Sequence, residues 1–428
     1  MLRLYNTLLL LLRPLAALWY LRHRGSSQRG VEAAERMARR LPTARSGGLW
    51  VHGSSMGEAR IVNALARAVR VRAPERAISL SAYTRTGRAQ LPDGPPADAS
   101  FYLPLDFSGF PRRVLHRLKP DLLVIVETEL WPNLLNEAHR SGTAVAVINA
   151  RLAPERMTRY RRLAGLYRPL LTRLSRVGAQ SDDDAARFLE LGLPEAAVRV
   201  TGNVKYDLPA PAVDEEALRR EIGLEPGRPV LVAGSTGEGE EEQVLEAFAE
   251  LRSAHPDLFL ILAPRHPERA DDVERLVRSR GHRLRRLSGG PAGPGQADLL
   301  LVDALGRLGA LYGLGSVAFV GGSLVPVGGH NVLEPAALGV PVLFGPHTHH
   351  FAEPAGALLR AGGGFRVRDA AALARESSVL LADDELRTRA ARAARGVVEE
   401  NRGAMARSVD LVFEALEASG AGEREGSP

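Results

Sequence analysis

Apolar, β-branched runs of four to seven residues punctuate the chain, and most close on or just before a small or turn-forming residue. The first series falls at 48–54, 77–82, 121–126, 144–149 and 176–180. The second falls at 229–233, 258–263, 298–302, 317–320 and 340–344. Runs this short and apolar on both faces suit strands covered by helices on either side, and Arg- and Leu-rich helical patterns separate them. The order predicts an α/β fold of parallel sheets with helices on both faces.

The two series meet at Pro209-Ala210-Pro211, which reads as a linker. At 428 residues the chain is too long for one core, so two Rossmann-like domains are expected, at 25–208 and 209–383. Ligands of such sheets bind beyond the carboxyl ends of the strands, which predicts an active-site cleft faced by both halves. A helical stretch from 384 is long enough to return to the first domain, with a disordered tail at 419–428. No internal repeat appears, and the longest low-complexity tract is the Gly/Pro loop at 288–295.

Residues 1–24 stand apart and read as a membrane anchor, the alternative being an N-terminal helix packed on the protein itself. Leu8 to Leu12 is pure leucine and 15–21 is apolar with Trp19 and Tyr20, but Arg13-Pro14 interrupts the two. A span needs roughly 20 apolar residues, so an interfacial or marginally spanning helix is expected. No small-residue cleavage site follows, and Arg22, Arg24, Arg29, Arg36, Arg39 and Arg40 trail it, which places the body on the cytoplasmic side. The net charge of +6 suits an anionic membrane; with only 5% aromatics and no stacking motif among the basic residues, nucleic acid is not expected as a partner. Apolar content of 45% and charged content of 25% exclude general disorder. The absence of cysteine removes disulfides, thiolate nucleophiles and zinc-thiolate sites.

Chemistry concentrates after strands. Gly328-Gly329-His330-Asn331-Val332-Leu333-Glu334 follows the run 316–320 and reads as a glycine turn opening a helix, an anion site whose Glu334, one turn inside, can accept a ribose's hydroxyls. His52-Gly53-Ser54-Ser55-Met56-Gly57-Glu58 puts Glu58 at a helix start, where it can take a proton from an alcohol; the plainer reading is a helix-start carboxylate. Glu127 and Glu129 leave a fully apolar strand and meet Trp131-Pro132, either as working acids or as braces of the turn. Lys205, in Thr201-Gly202-Asn203-Val204-Lys205-Tyr206-Asp207, lies just before the linker and can reach an anionic donor. Pro264-Arg265 follows another strand and places Arg265 to hold a phosphate. Asp182-Asp183-Asp184 reads as a helix-start charge cluster rather than a metal site.

Taken in series, HGSSMGE, ETELWPN, INARL, TGNVKYD, AGSTGEGEEE, APRHPER and VGGSLVPVGGHNVLEPAALGVPVLFGPHT resemble the 3-deoxy-D-manno-octulosonic acid (Kdo) transferases of lipopolysaccharide synthesis, in order from about residue 48 to about residue 350. The resemblance implies a GT-B fold and an inverting transfer of Kdo from CMP-Kdo to the lipid A precursor at the inner membrane. It implies neither metal nor cofactor, since the leaving group is a monophosphate. Residue by residue it implies that Glu58 is the general base, and that Glu127 and Lys205 stabilise the transition state, Glu129 being the lesser of the acidic pair. Pro264, Arg265 and Asn331, Val332, Leu333, Glu334 correspond to CMP-binding stretches. A third such stretch, Gly306-Arg307-Leu308, departs from the family's Gly-Glu, so Arg307 cannot carry the usual side-chain role although Gly306 can keep a backbone contact.

Two other classes fit parts of the pattern. A different GT-B cell-envelope enzyme using a UDP-sugar would share the helix-and-glutamate site. A non-catalytic membrane scaffold would use the basic face and leave the strand-end motifs unexplained.

Overall fold

A computed structural model describes residues 1–23, 27–290 and 297–420. The tail expected at 419–428 and the Gly/Pro loop at 288–295 fall mostly outside them. The chain divides into two compact units, Met1–Leu208 with Arg402–Pro428, and Pro209–Asn401.

Unit one carries β1 (Leu49–His52), β2 (Ile78–Ala82), β3 (Ala99–Tyr102), β4 (Leu122–Val126), β5 (Ala144–Ala150), β6 (Arg176–Ala179) and β7 (Val198–Val200). They form one parallel sheet in the order β3-β2-β1-β4-β5-β6-β7. Alternation along β4 shows how the sheet is covered on both faces. Leu123 and Ile125 join a core with Trp50, Val147 and the helices Phe110–Leu118 and Pro132–Arg140. Leu122, Val124 and Val126 join the opposite core with Ile61, Leu65, Leu411 and Val412. Both cores are fully closed to water, which is why the strand reads as an unbroken apolar run.

Unit two repeats the design with β8 (Val230–Thr236), β9 (Phe259–Pro264), β10 (Leu284–Arg286), β11 (Leu299–Leu301), β12 (Val317–Val320), β13 (Val342–Phe344) and β14 (Gly364–Arg366). Its parallel order is β10-β11-β9-β8-β12-β13-β14. The ten apolar runs of the sequence are the inner strands of the two sheets. The four strands that pattern does not show, β3, β7, β10 and β14, are the four edges, short and only partly covered. An edge strand has a neighbour on one side only and needs no continuous apolar run.

The helical stretch from 384 is two helices. Asp384–Glu400 belongs to unit two, and Ala404–Ala418 belongs to unit one. The crossing therefore falls at residues 401–403, where Gly403 takes φ +95°. Asp207 fixes that junction within unit one: its carboxylate accepts the Gly403 N–H at 2.6 Å and the Met405 N–H at 2.7 Å. It thus supplies the cap that Gly403 lacks.

The N-terminal segment is one helix, Leu2–His23, and Pro14 does not break it. Among the described residues it is the one helix long and apolar enough to cross a membrane, with mean hydropathy 1.3 over 18 residues. One side of it rests on unit one: Leu9, Ala16 and Tyr20 pack on the core, and the Tyr5 hydroxyl donates to Asp106 Oδ2 at 3.0 Å. Asn133 Nδ2 donates to Asn6 Oδ1 at 2.7 Å, and the Arg39 guanidinium lies 4.8 Å from the centre of the Tyr20 ring. The other side shows Leu4, Leu8, Leu11, Leu15 and Leu18, each more than half exposed.

Replacing Asp207 with Ala strips the cap from helix Ala404–Ala418, a loss of about 0.5–2 kcal/mol. The expected outcome is a lower thermal midpoint with the secondary structure retained at 25 °C; a midpoint equal to the parent's would show that the cap contributes nothing.

Candidate functional site

In unit one the site begins where β1 ends. Gly53 has no Cβ, and one built there would lie 2.9 Å from both Glu58 Cβ and Val62 Cγ2, so glycine is what lets helix Met56–Arg72 close onto the strand. Ser55 caps that helix, its Oγ accepting the Glu58 N–H at 3.4 Å and donating to Glu58 Oε1 at 2.8 Å. Glu58 Oε2 accepts the Ser54 N–H at 2.6 Å, which completes a capping box. Burial pushes the Glu58 carboxyl up to about 7 and the negative charge of Glu127 adds to it, while the Ser54 and Ser55 bonds pull the other way. The plain capping role and a chemical one therefore coincide at Glu58. A carboxyl that gives up its proton near neutral pH is suited to general-base work. His52 is fully buried with Nδ1 on Ser81, and burial lowers it to about 4, so it serves the core as a neutral ring.

Glu127 follows β4 in the left-handed region, φ +63°. Its N–H donates to the Ile148 carbonyl at 3.0 Å, and its Oε1 receives Lys205 Nζ at 2.8 Å. Lys205 rides on the short 3-10 helix Val204–Asp207, whose first turn is held by the Asn203 side chain accepting the Lys205 N–H at 3.1 Å. Glu129 accepts the Trp131 indole N–H at 2.9 Å, and burial raises its carboxyl above the ordinary range. Trp131 in turn stacks on Tyr83, ring centres 5.3 Å apart. Glu129 thus braces the turn, whereas Glu127 is the acid paired with a cation. Glu58, Glu127 and Lys205 gather at the carboxyl ends of β1, β4 and β7.

In unit two the stretches 264–265, 306–308 and 331–334 gather around the carboxyl ends of β8, β9 and β12. Pro264 closes β9, and the Arg265 N–H donates to the Thr236 carbonyl at 2.9 Å. Arg265 makes no side-chain hydrogen bond or ion pair among the described residues, and its positive charge joins burial in lowering His330 to about 4. Asn331 Oδ1 accepts the Leu333 N–H at 3.2 Å and Asn331 Nδ2 donates to Glu334 Oε1 at 3.4 Å. The helix itself is a single turn, Leu333–Ala337, with Val332 before it and Glu334 its second residue rather than one turn inside. Five residues sum to a small dipole, so the Asn331 side chain, more than the macrodipole, organises this end.

Leu308 opens the turn Leu308–Leu311, and Leu308 and Tyr312 both crowd Gly234, where a Cβ would stand 2.1 Å from the Tyr312 hydroxyl. The negative charge of Glu334 raises the Tyr312 hydroxyl further above its ordinary value, which burial already does. Tyr312 is a buried aromatic beside these stretches, and nothing in the sequence pattern separates it from an ordinary core residue. Gly306 takes φ +80°. Arg307 turns instead to Glu221, with both Oε atoms at 2.7 Å, so its side chain is occupied by a surface ion pair.

Glu240 also escapes a reading by charge, because the run 238–242 looks like a solvated face. It is fully buried. Its Oε2 accepts the N–H groups of Gly237 at 2.8 Å and Gly322 at 2.6 Å, and its Oε1 those of Ser323 at 2.9 Å and Leu324 at 2.8 Å. Four donors on one carboxylate lock the loop after β12.

Two parallel seven-stranded Rossmann-like sheets with their polar groups at the strand ends are the GT-B fold. The fold matches a glycosyltransferase from Rickettsia africae (TM-score 0.58, 14% identity, 88% of this chain and 98% of that one) and a UDP-GlcNAc 2-epimerase from Neisseria meningitidis (0.59, 16%, 86% and 100%). The family model for 3-deoxy-D-manno-octulosonic-acid transferase (kdotransferase) matches residues 28–208. The 3-deoxy-D-manno-octulosonic acid transferase of Haemophilus influenzae is 35% identical over 377 residues, 86% of this chain and 87% of that one. That of Bordetella pertussis is 35% identical over 420 residues, 95% and 97%. The chain belongs to the 3-deoxy-D-manno-octulosonic acid transferase family and is a Kdo transferase.

The raised Glu58 carboxyl sets a pH dependence. A base works ionised, so kcat should climb as pH rises through about 7, and lose its acid limb near that value in Glu58→Gln along with roughly 10² to 10⁴ fold in rate. Rates followed from pH 5 to pH 9 check this; an unshifted limb near 4.5, or near-parental turnover of the variant, would contradict it.

Proposed function

We propose that this chain transfers Kdo from CMP-Kdo to the lipid A precursor (lipid IVA) with inversion at the anomeric carbon and without a metal, on the cytoplasmic face of the inner membrane. In this reading the acceptor hydroxyl oxygen attacks the anomeric carbon of Kdo while Glu58 Oε takes its proton. The bond from that carbon to the phosphate oxygen breaks, and CMP leaves with the electron pair. The observation that carries the proposal is Glu58, a carboxyl fixed by Ser54 and Ser55 with its proton affinity lifted to near neutrality. An inverting transfer needs one such base and no covalent nucleophile.

The roles of the other residues follow from charge. Positive charge develops on the sugar ring as the leaving group departs, and Glu127 presents a carboxylate to it, while Lys205 offers a cation to the carboxylate of Kdo. In unit two Arg265 supplies an unpaired guanidinium to the CMP phosphate, and Glu334 accepts the ribose hydroxyls beside Asn331. A monophosphate leaving group carries less charge than a diphosphate, and one guanidinium with nearby N–H donors offsets it. The exposed leucine stripe of helix Leu2–His23 lies in the headgroup boundary, with the body tethered through Tyr5 and Asn6.

Nucleotide selectivity tests the donor assignment. CMP should raise the thermal midpoint of the purified protein where UDP and GDP do not. Glu334→Ala should weaken CMP binding by about 1.5–3 kcal/mol in calorimetric titration with the fold intact. Stabilisation by UDP in place of CMP would favour a UDP-sugar enzyme of the same fold.

The membrane assignment is tested by changing Leu4, Leu8, Leu11, Leu15 and Leu18 together to Gln, which spares the contacts of Tyr5 and Asn6. The variant should leave anionic vesicles in a sedimentation assay yet act on detergent-dispersed acceptor. Binding as firm as the parent's would place the anchor elsewhere.

A further inference from the structure

The motif Ile148-Asn149-Ala150-Arg151-Leu152 enters no step described so far, yet Asn149 lies at the centre of unit one's polar groups. It is fully buried. It ends β5 in the left-handed region, φ +51°, at a register shift in the pairing of β5 with β6 between Val147 and Ala150. Such irregularities re-aim a side chain next to a site, and asparagine bears that backbone at less cost than most residues.

Each polar atom of Asn149 is directed at a different part of the site. Nδ2 donates to Glu127 Oε1 at 3.4 Å, the same oxygen that receives Lys205 Nζ at 2.8 Å. Oδ1 accepts the Val204 N–H at 3.0 Å, the residue immediately before Lys205. Its own carbonyl accepts from Gln180 Nε2 at 3.0 Å, which anchors the residue to the end of β6. One amide therefore touches both the acid and the backbone that carries the cation.

We infer that Asn149 is a positioning residue for the transfer reaction: its amide sets the Glu127 carboxylate and the Val204–Lys205 strap in one fixed geometry. The inference rests on the reading of Glu127 and Lys205 as working groups. Without it the long Lys205 side chain would still meet Glu127, but with many rotamers to lose, and a displacement of about 1 Å in such a group can lower turnover roughly 10² fold.

Steady-state transfer by full-length Asn149→Gly and Asn149→Asp tests this, beside melting curves and Glu127→Gln. Glycine keeps the left-handed backbone and removes only the side chain, so a purely conformational role predicts parental kinetics for it. The positioning role predicts kcat lower by roughly 10² fold with KM for CMP-Kdo within about threefold of the parent. Asp keeps the shape and the acceptor for Val204 but sets an oxygen against Glu127, so it should stay folded and lose kcat similarly. Parental kcat in either folded variant would overturn the inference, and so would loss of the fold in both, which would assign Asn149 to stability alone. If Glu127→Gln is slow while Asn149→Gly is not, this inference alone fails; if Glu127→Gln itself turns over normally, the reading of Glu127 fails with it.

Discussion

The ion pair between Glu127 and Lys205 is the contact on which the acidic half of the site depends. Both side chains are largely withdrawn from water, at 19% and 16% exposure, and a carboxylate and an ammonium in that setting are tolerable only together. Removing one would leave the other stranded, which in fully buried pairs costs about 3–5 kcal/mol, more than most single substitutions. The pair also confines Glu127, whose charge helps to hold the Glu58 carboxyl up near neutrality.

The backbone makes this arrangement by leaving regular geometry at strand ends. Glu127 and Asn149 in unit one and Ser235 in unit two are non-glycine residues in the left-handed region, all at or just beyond the carboxyl end of a strand. Register shifts accompany two of them, between Val147 and Ala150 on β5 and between Gly234 and Thr236 on β8. Backbone strain of this kind persists only where surroundings over-determine it, and at Asn149 the bonds to Glu127, Val204 and Gln180 do so.

The legible part of the molecule is what repeats or what is enforced by burial. Inner strands appear as apolar runs because both faces are covered; Glu127 stands out because a polar group directly after such a run has few structural excuses, whereas Glu58 and Lys205 are marked by the motifs that carry them. The edges β3, β7, β10 and β14 carry no such signature, since Val198–Val200 or Leu284–Arg286 need only one partner and a partly wet face. Glu240 hides in an acidic run, and three of its four backbone partners come from residues about eighty positions further on. Tyr312 likewise packs against β8 only because Gly234 has no Cβ.

The most direct measurement is mass spectrometry of the lipid recovered after purified protein is incubated with CMP-Kdo and a tetraacyl disaccharide precursor. The expected result is a product heavier by one or more Kdo residues, formed with equal release of CMP and roughly 10² to 10⁴ fold more slowly when Glu58 is replaced by Gln. Unmodified lipid in the presence of CMP-Kdo, or sugar transferred from a UDP donor instead, would contradict it.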